Sequence, residues 1–541
     1  MIRLLPLAAL LLGAASAPPQ AISPERLSAD VKTLASDAFG GRAPGTPGEA
    51  KTVDWLIAAF RDAGLQPGGR GDSWTQDVPL VRTQLGSGTV SAGGAPLAIG
   101  RDVYLSTVRP VTRTTIAAAP MVFVGYGVSA PERGWDDFKG VDLKGKVAVI
   151  LVNDPDFEAK PGDDAAGKFG DRRMTYYGRW TYKFEEAARR GAIAALIVHD
   201  TAGAGYGWAT VTAPAGENYD VAKPAASRVL LQGWLEGAAA TRLFTAAGLD
   251  LAQQRRAARR ADFRPVMLKG QAFAADLPVT VTRAVSRNVL ARLPGSGHAD
   301  EVVMLGAHWD AYGEGAPDAQ GRRIRPGAND DALGVAGLLE IARSAATGPR
   351  PERSLVFGVW TGEERGLLGS ETYAADPVYP AAKTVANLTL DILQTGGPAR
   401  DVMLVGDGKN ALEDMLRDAA TAQGRVVTPE ALPERGLFYR ADHFSLARRG
   451  VPTLLLMAIS GAPDLVTGGR AAGQAWLDGY MRCYHQTCDA WDAGWDLRGA
   501  AADVDLVRMV TMGLATSRAW PDWKPGSEFA AVRAKTAGER R

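Results

Sequence analysis

Short apolar runs alternate with helical periodicities through the second half of the chain. Val302–Leu305, Leu355–Trp360, Val385–Leu393 and Thr453–Met457 are mostly apolar, as strands covered on both faces tend to be. Helical patterns lie between them at 331–345, 411–423 and 442–449. This alternation predicts an α/β fold, a central sheet with helices on both faces. Ligands in such sheets usually bind beyond the carboxyl ends of the strands.

The first half reads differently. Residues 22–64 are expected to be largely helical. Thr46-Pro47-Gly48-Glu49 has the form of a capping box with proline in the first turn. Val53, Leu56, Ile57 and Phe60 then make one apolar stripe, and Gly64 is the expected stop. Residues 75–120 read as short strands and turns. From 121 to 265 a separate small module is expected. Its strands would be Met121–Val124, Lys146–Val152 and Ile193–Val198, with Tyr182–Arg190 a helix stopped by Gly191. No metal-ligand cluster or nucleophile motif stands in that module, and His199 reads as structural. The Arg/Ala-rich stretch 252–262 reads as a helix or a charged boundary segment.

Composition narrows the classes of partner. Of 541 residues, 46% are hydrophobic and 22% charged, enough for a sizeable core. Lys+Arg 61 against Asp+Glu 60 leaves +1, so no basic excess exists to neutralise nucleic-acid phosphates. No apolar run reaches the ~20 residues of a membrane span. Arg3, the apolar Leu4–Leu12 and Ala15-Ser16-Ala17 have the form of a secretory signal over residues 1–17. The protein is therefore expected to be exported, periplasmic or secreted. In that setting Cys483 and Cys488 read as a local disulfide.

Chemistry-bearing residues collect where the strands end. Strand 302–306 runs into Ala307-His308-Trp309-Asp310. Gly327-Ala328-Asn329-Asp330-Asp331 opens a helix, and strand 355–360 runs into Thr361-Gly362-Glu363-Glu364. Strand 385–390 ends at Asp391, and Tyr484-His485-Gln486-Thr487-Cys488-Asp489 comes late. Each piece alone is ordinary: an Asp at a helix start is usually a cap. Together, two His and three carboxylates suit paired divalent zinc. A further carboxylate beside a ligand carboxylate supplies a base for an activated water. Neither G-x-S-x-G nor H-E-x-x-H occurs in the chain.

These motifs resemble the zinc-dependent exopeptidases of the M28 peptidase family, in the subgroup with an inserted protease-associated (PA) domain. The likeness rests on His308-Trp309-Asp310, Gly327-Ala328-Asn329-Asp330-Asp331, Glu363-Glu364 and Tyr484-His485. Gly40-Gly41-Arg42 with Pro44-Gly45-Thr46-Pro47-Gly48, Gly125-Tyr126-Gly127 and Leu143-Lys144-Gly145-Lys146-Val147 extend it. The resemblance implies an α/β/α sandwich with a mixed central sheet. Residues 22–120 and 266–541 would form the peptidase part and 121–265 the small β-rich PA domain.

The resemblance also implies two Zn2+ per chain and peptide substrates. His308 and Asp391 would hold one zinc, and Glu364 and His485 the other. Asp330, four residues before Gly334, would bridge them. Asp310 would orient His308, Glu363 would be the general base, and Tyr484 would donate to the oxyanion. Ile392-Leu393-Gln394 and Ala332-Leu333 depart from the common family pattern, but neither removes a ligand. Asp442-His443 reads as structural. The expected activity is that of an aminopeptidase. One alternative is a carboxypeptidase-like member acting on acidic C-termini, which needs a basic pocket; Arg322, Arg323 and Arg325 are candidates but read as a solvated loop. The other is a non-catalytic binding protein, which predicts missing ligands.

Overall fold

The computed structural model describes residues 20–224 and 226–540. The expected signal segment 1–17 lies outside them. Five strands carry the edge where His308, Thr361 and Asp391 stand: β1 (Val266–Leu293), β2 (His298–His308), β3 (Arg353–Trp360), β4 (Thr384–Leu390) and β5 (Thr453–Leu456). Their order is β5-β4-β2-β3-β1. The first four are mutually parallel, and the end of β1 pairs antiparallel with β3. The sheet is therefore mixed, as the resemblance implied.

Side chains alternate across β2. Val303, Leu305 and Ala307 join the large core beneath helices α1 (Leu333–Thr347) and α2 (Arg498–Ala515). Val302 and Met304 face the other way, among Val356, Trp360, Tyr373 and Leu446. A period of two in a strand covered on both sides demands apolar residues at every position, and all eight residues of β3 are buried. Because β2 to β5 are parallel, their carboxyl ends reach one edge together. That shared direction brings His308, Thr361 and Asp391 into one neighbourhood.

A second unit has its own apolar cores. Val147–Leu151, Ala194–Val198 and Leu231–Leu235 run parallel, beside Arg113–Phe123 and Val103–Ser106. Helices Trp180–Arg189 and Gly237–Ala246 accompany them. The sheet of this unit reaches beyond the expected 121–265. It takes Thr89–Ala92 on one side, and Val266–Pro278 of β1 pairs with Arg113–Phe123. The 28-residue β1 thus runs through both units. The second unit docks beside that edge through Arg172–Glu434 and Arg448–Glu185, and by packing Tyr176 on Tyr439 and Phe444.

The N-terminal helix Pro47–Asp62 forms as expected and buries Val53, Leu56 and Phe60, but its capping differs. The Thr46 hydroxyl donates to the Ala43 carbonyl, and Glu49 accepts from the Gly45 amide. The chain turns in ahead of Thr46 and brings these nearer partners into reach, so the reciprocal box does not form.

Candidate metal centre

The two histidines face one carboxylate from opposite sides. His308 Nε2 lies 3.1 Å from Asp330 Oδ1, and His485 Nε2 lies 3.2 Å from Asp330 Oδ2. Glu364 Oε2 is 3.3 Å from His485 Nε2, and Asp391 Oδ1 is 3.9 Å from His308 Nε2. Ligand distances of 2.0–2.2 Å in a tetrahedron imply ligand–ligand edges of about 3.3 Å. The spacings around His485 and Asp330 match that edge. Asp391 Oδ1 is buried with no hydrogen-bond partner among the described residues, as a ligand oxygen awaiting a cation would be.

His308, Asp331 and Asp391 also bring ligand atoms within 4.8 Å of one another. The carboxylate of Asp331 is otherwise engaged. It accepts from the His308 amide (3.2 Å), the Gly334 amide (3.0 Å) and the Ile392 amide (3.4 Å). It ties the end of β2 to the loop after β4, while Asp330 faces both histidines. Of the two, only Asp330 has a carboxylate within about 3.2 Å of both histidines.

Neighbouring groups fix several of these side chains and the loops that carry them. His308 Nδ1 lies 3.0 Å from the Asp310 carbonyl oxygen, against 3.7 Å from the Asp310 carboxylate. The orienting contact expected from the Asp310 side chain is thus made by its main chain. The carboxylate instead accepts from the Glu363 amide at 3.1 Å and ties the two strand ends together. A carbonyl at Nδ1 accepts the ring proton there and turns Nε2 toward Asp330. Asp489 accepts from the amides of Asn329 and Asp330, at 3.0 and 3.1 Å. The Asn329 carboxamide in turn accepts from the Leu393 amide, just after Asp391.

Arg42 braces the same loops from below. It is fully buried and donates to the carbonyls of Trp309 (2.7 Å), Leu34 (3.0 Å), Pro326 (2.6 Å) and Gly327 (2.8 Å). Burial lowers its guanidinium only to about 10, so it stays charged at neutral pH. Gly41 beside it has φ +68°, and a Cβ there would meet the Arg325 carbonyl oxygen at 2.6 Å, which explains the glycine. Sequence reading assigned no role to Asp489, Asp331 or Arg42. Arg42 and Asp331 stood inside motifs that carried the resemblance, and Asp489 was marked only by its place four residues after His485.

The electrostatics call for added positive charge. Burial, followed by the neighbouring Asp330, pushes the Asp391 carboxyl up to about 8. Burial drives Glu363, Glu364 and Asp331 well above the carboxylate range. Only Asp330 falls below it, because hydrogen bonds from His308 and His485 outweigh its burial. Burial opposes a proton on His308, yet Glu363, Asp310 and Asp330 hold its value well above the ordinary one. So many carboxylates around two imidazoles suit divalent cations, and the mixed N/O donor set suits zinc. Tyr484 lines the same cavity, its ring 3.6 Å from that of His485. Cys483 and Cys488, on either side of that pair, are disulfide-bonded as expected.

Residues 288–509 match the sequence profile of peptidase family M28. The chain is 30% identical over 236 residues to leupeptin-inactivating enzyme 1 of Streptomyces exfoliatus, covering 41% of this chain and 48% of that one. It is 25% identical over 404 residues to the "Probable lipoprotein aminopeptidase LpqL" of Mycobacterium tuberculosis, covering 74% of this chain and 62% of that one. It thus spans between about half and two thirds of these relatives' lengths. An aminopeptidase from Aneurinibacillus sp. strain AM-1 has a similar fold, with TM-score 0.51 and 19% identity over 94% of this chain and 95% of that one. His308, Asp330, Glu363, Glu364, Asp391 and His485 all lie inside the segment that matches peptidase family M28.

Proposed function

We propose that the protein is an exported, zinc-dependent aminopeptidase that holds two Zn2+ per chain and removes N-terminal residues from peptides. The observation that carries this reading is the Asp330 carboxylate, set between His308 and His485 with Glu363 to spare. His308 and Asp391 would hold one zinc, Glu364 and His485 the other, with Asp330 shared. Zinc bound there would supply Lewis-acid polarisation of a peptide carbonyl and acidify a water.

The protein's own groups account for the proton traffic. Glu363 Oε2 lies 3.9 Å from His308 Nε2, beside the ligands but in neither trio of close ligand atoms. It takes the proton of the attacking water and returns it to the leaving amine nitrogen as the C–N bond breaks. Tyr484 keeps its proton, because burial raises the phenol well above its ordinary value, and it donates to the oxyanion. The cavity is about 950 Å³, within the range of small-ligand sites, and favours short substrates. The 121–265 region is proposed to act as a PA-type cover, supported by the cavity-lining residues it contributes. Export is supported by the disulfide, which persists in oxidising compartments.

The test is a panel of N-terminal and C-terminal peptide substrates with elemental analysis. About two zinc per chain and release of N-terminal residues are expected, lost on chelation and restored by zinc. Full activity after thorough chelation would refute the metal assignment. Release from the C-terminus would favour the carboxypeptidase reading. Arg322, Arg323 and Arg325, once candidates for its basic pocket, do not line the cavity.

A further inference from the structure

We propose that Arg179 and Arg440 form a carboxylate subsite in the cavity over the metal centre, and that the protein selects short peptides bearing a free carboxylate there. This inference rests on the peptidase reading above and adds a recognition element to it.

Six arginines line the cavity. Four have acidic partners: Arg228 with Asp220, Arg365 with Glu217, Arg448 with Glu185 and Arg449 with Glu371. Arg179 and Arg440 have no carboxylate within the 4.0 Å limit of an ion pair among the described residues. Neither side chain makes a hydrogen bond to the described protein. Arg179 comes from the second unit, at the start of helix Trp180–Arg189, and is only 8% exposed. Its Nε is buried without a partner. Arg440 comes from the segment that matches family M28, just after the turn Leu437–Tyr439.

The two guanidinium groups feel each other. Burial, followed by repulsion from Arg440, lowers Arg179 to about 10, which leaves it charged at neutral pH. Burial opposes the charge on Arg440, but Tyr484, Tyr206 and Glu363 hold its value above the ordinary one, and it lines the cavity together with Tyr484 and Glu363. A buried charge without an ion-pair partner, as Arg179 is, is unfavourable, and a second charge of like sign on the same cavity makes it more so. Proteins seldom keep such a pair in a cavity unless an anion joins it. Planar guanidinium forks bind carboxylates in a bidentate manner. The same cavity reaches Asp330, Glu363 and His485. A peptide of a few residues can therefore lie between metal centre and arginines, its N-terminal residue at one end and its carboxylate at the other. That carboxylate is either the α-carboxylate of a short peptide or an acidic side chain.

The experiment uses the zinc-loaded full chain and two substrate pairs. Ala-Ala against Ala-Ala-amide tests the α-carboxylate, and Ala-Glu-amide against Ala-Gln-amide tests the side chain. Hydrogen bonds between charged groups imply a preference of about 10–100-fold in kcat/KM for the carboxylate in one pair, mostly through KM. The pair that responds identifies the source. In folded Arg179→Gln and Arg440→Gln variants the ratio should fall toward one. Cleavage of all four peptides with ratios near one in wild type overturns the subsite while leaving the peptidase reading intact. So does a wild-type preference that both folded variants retain. If the variants do not fold, the wild-type ratios decide. If no peptide is cleaved, the peptidase reading fails instead. The subsite is then tested by calorimetric titration of the same four peptides, where equal affinities within both pairs overturn it.

Discussion

Replacing Glu363 by Gln separates proton transfer from metal binding more sharply than any other single change. The side chain is 10% exposed, and its main-chain amide is fixed by Asp310. Gln preserves the shape and most of the hydrogen bonding but cannot accept the proton of the attacking water. General acid–base catalysis is typically worth ~10²–10⁴-fold. At 1.36 kcal/mol per decade that is about 2.7–5.4 kcal/mol on the barrier, so kcat should fall by at least about 100-fold. KM and zinc content should change little, because Glu363 belongs to neither trio of close ligand atoms and Gln keeps its shape. Glu364 is the control. It is 4% exposed and 3.3 Å from His485, and Glu364→Ala should weaken metal binding by about 100-fold or more. The assay is steady-state kinetics with elemental analysis on both variants. Loss of zinc from Glu363→Gln with retention by Glu364→Ala would reverse the two roles. Full activity in both would place the chemistry elsewhere.

Asp489→Asn presents an amide where the Asn329 and Asp330 amides need acceptors, so zinc affinity should drop by about 10–100-fold with the fold intact; a chelator competition unchanged from wild type refutes the clamp. Arg42→Met leaves four buried carbonyls without their donor and should cost about 3–5 kcal/mol in denaturant unfolding, whereas a loss under about 1 kcal/mol refutes the brace. Thiol titration of the unfolded, unreduced protein should find no free thiol, and Cys483→Ala/Cys488→Ala should lose about 2 kcal/mol; two thiols would contradict the bridge. Burial depresses the His443 imidazole to about 3, so the unfolded chain takes up its proton first as pH falls below about 6.5. This group's contribution is lost progressively down to about pH 3, amounting to about 2 kcal/mol by pH 5. Urea unfolding at pH 7 and pH 5 should show His443→Leu with a flatter dependence than wild type, and an unchanged dependence would rule the group out.

Much of the site was legible because its residues stand at strand ends in a parallel sheet. The apolar runs before His308, Glu363 and Asp391 announced buried strands, and parallel direction carries their carboxyl ends to one edge. Local chemistry could not separate Asp330 from Asp331. The two are adjacent, equally acidic and both buried, and only the hydrogen bonds from His308, Gly334 and Ile392 mark Asp331 as a clamp. The long strand Val266–Leu293 escaped the pattern because its two halves serve different sheets and its burial is irregular between them. The Thr46-x-x-Glu49 box failed because nearer acceptors and donors in the preceding turn compete for the same side chains.

Residue order predicted the α/β class, and the resemblance of its motifs to M28 peptidases implied the candidate ligands His308, Asp330, Glu364, Asp391 and His485 and the candidate base Glu363. These depend on local periodicity and on motif spacing, which the chain carries along its length. Tertiary structure alone decided which carboxylate faces both histidines, and that the Asp310 carbonyl orients His308. It alone showed Arg42 holding four carbonyls, and Arg179 and Arg440, 261 residues apart in the chain, lining one cavity. Those features depend on distances between segments remote in sequence, and burial then sets the strength of each charge; neither quantity exists until the chain has packed.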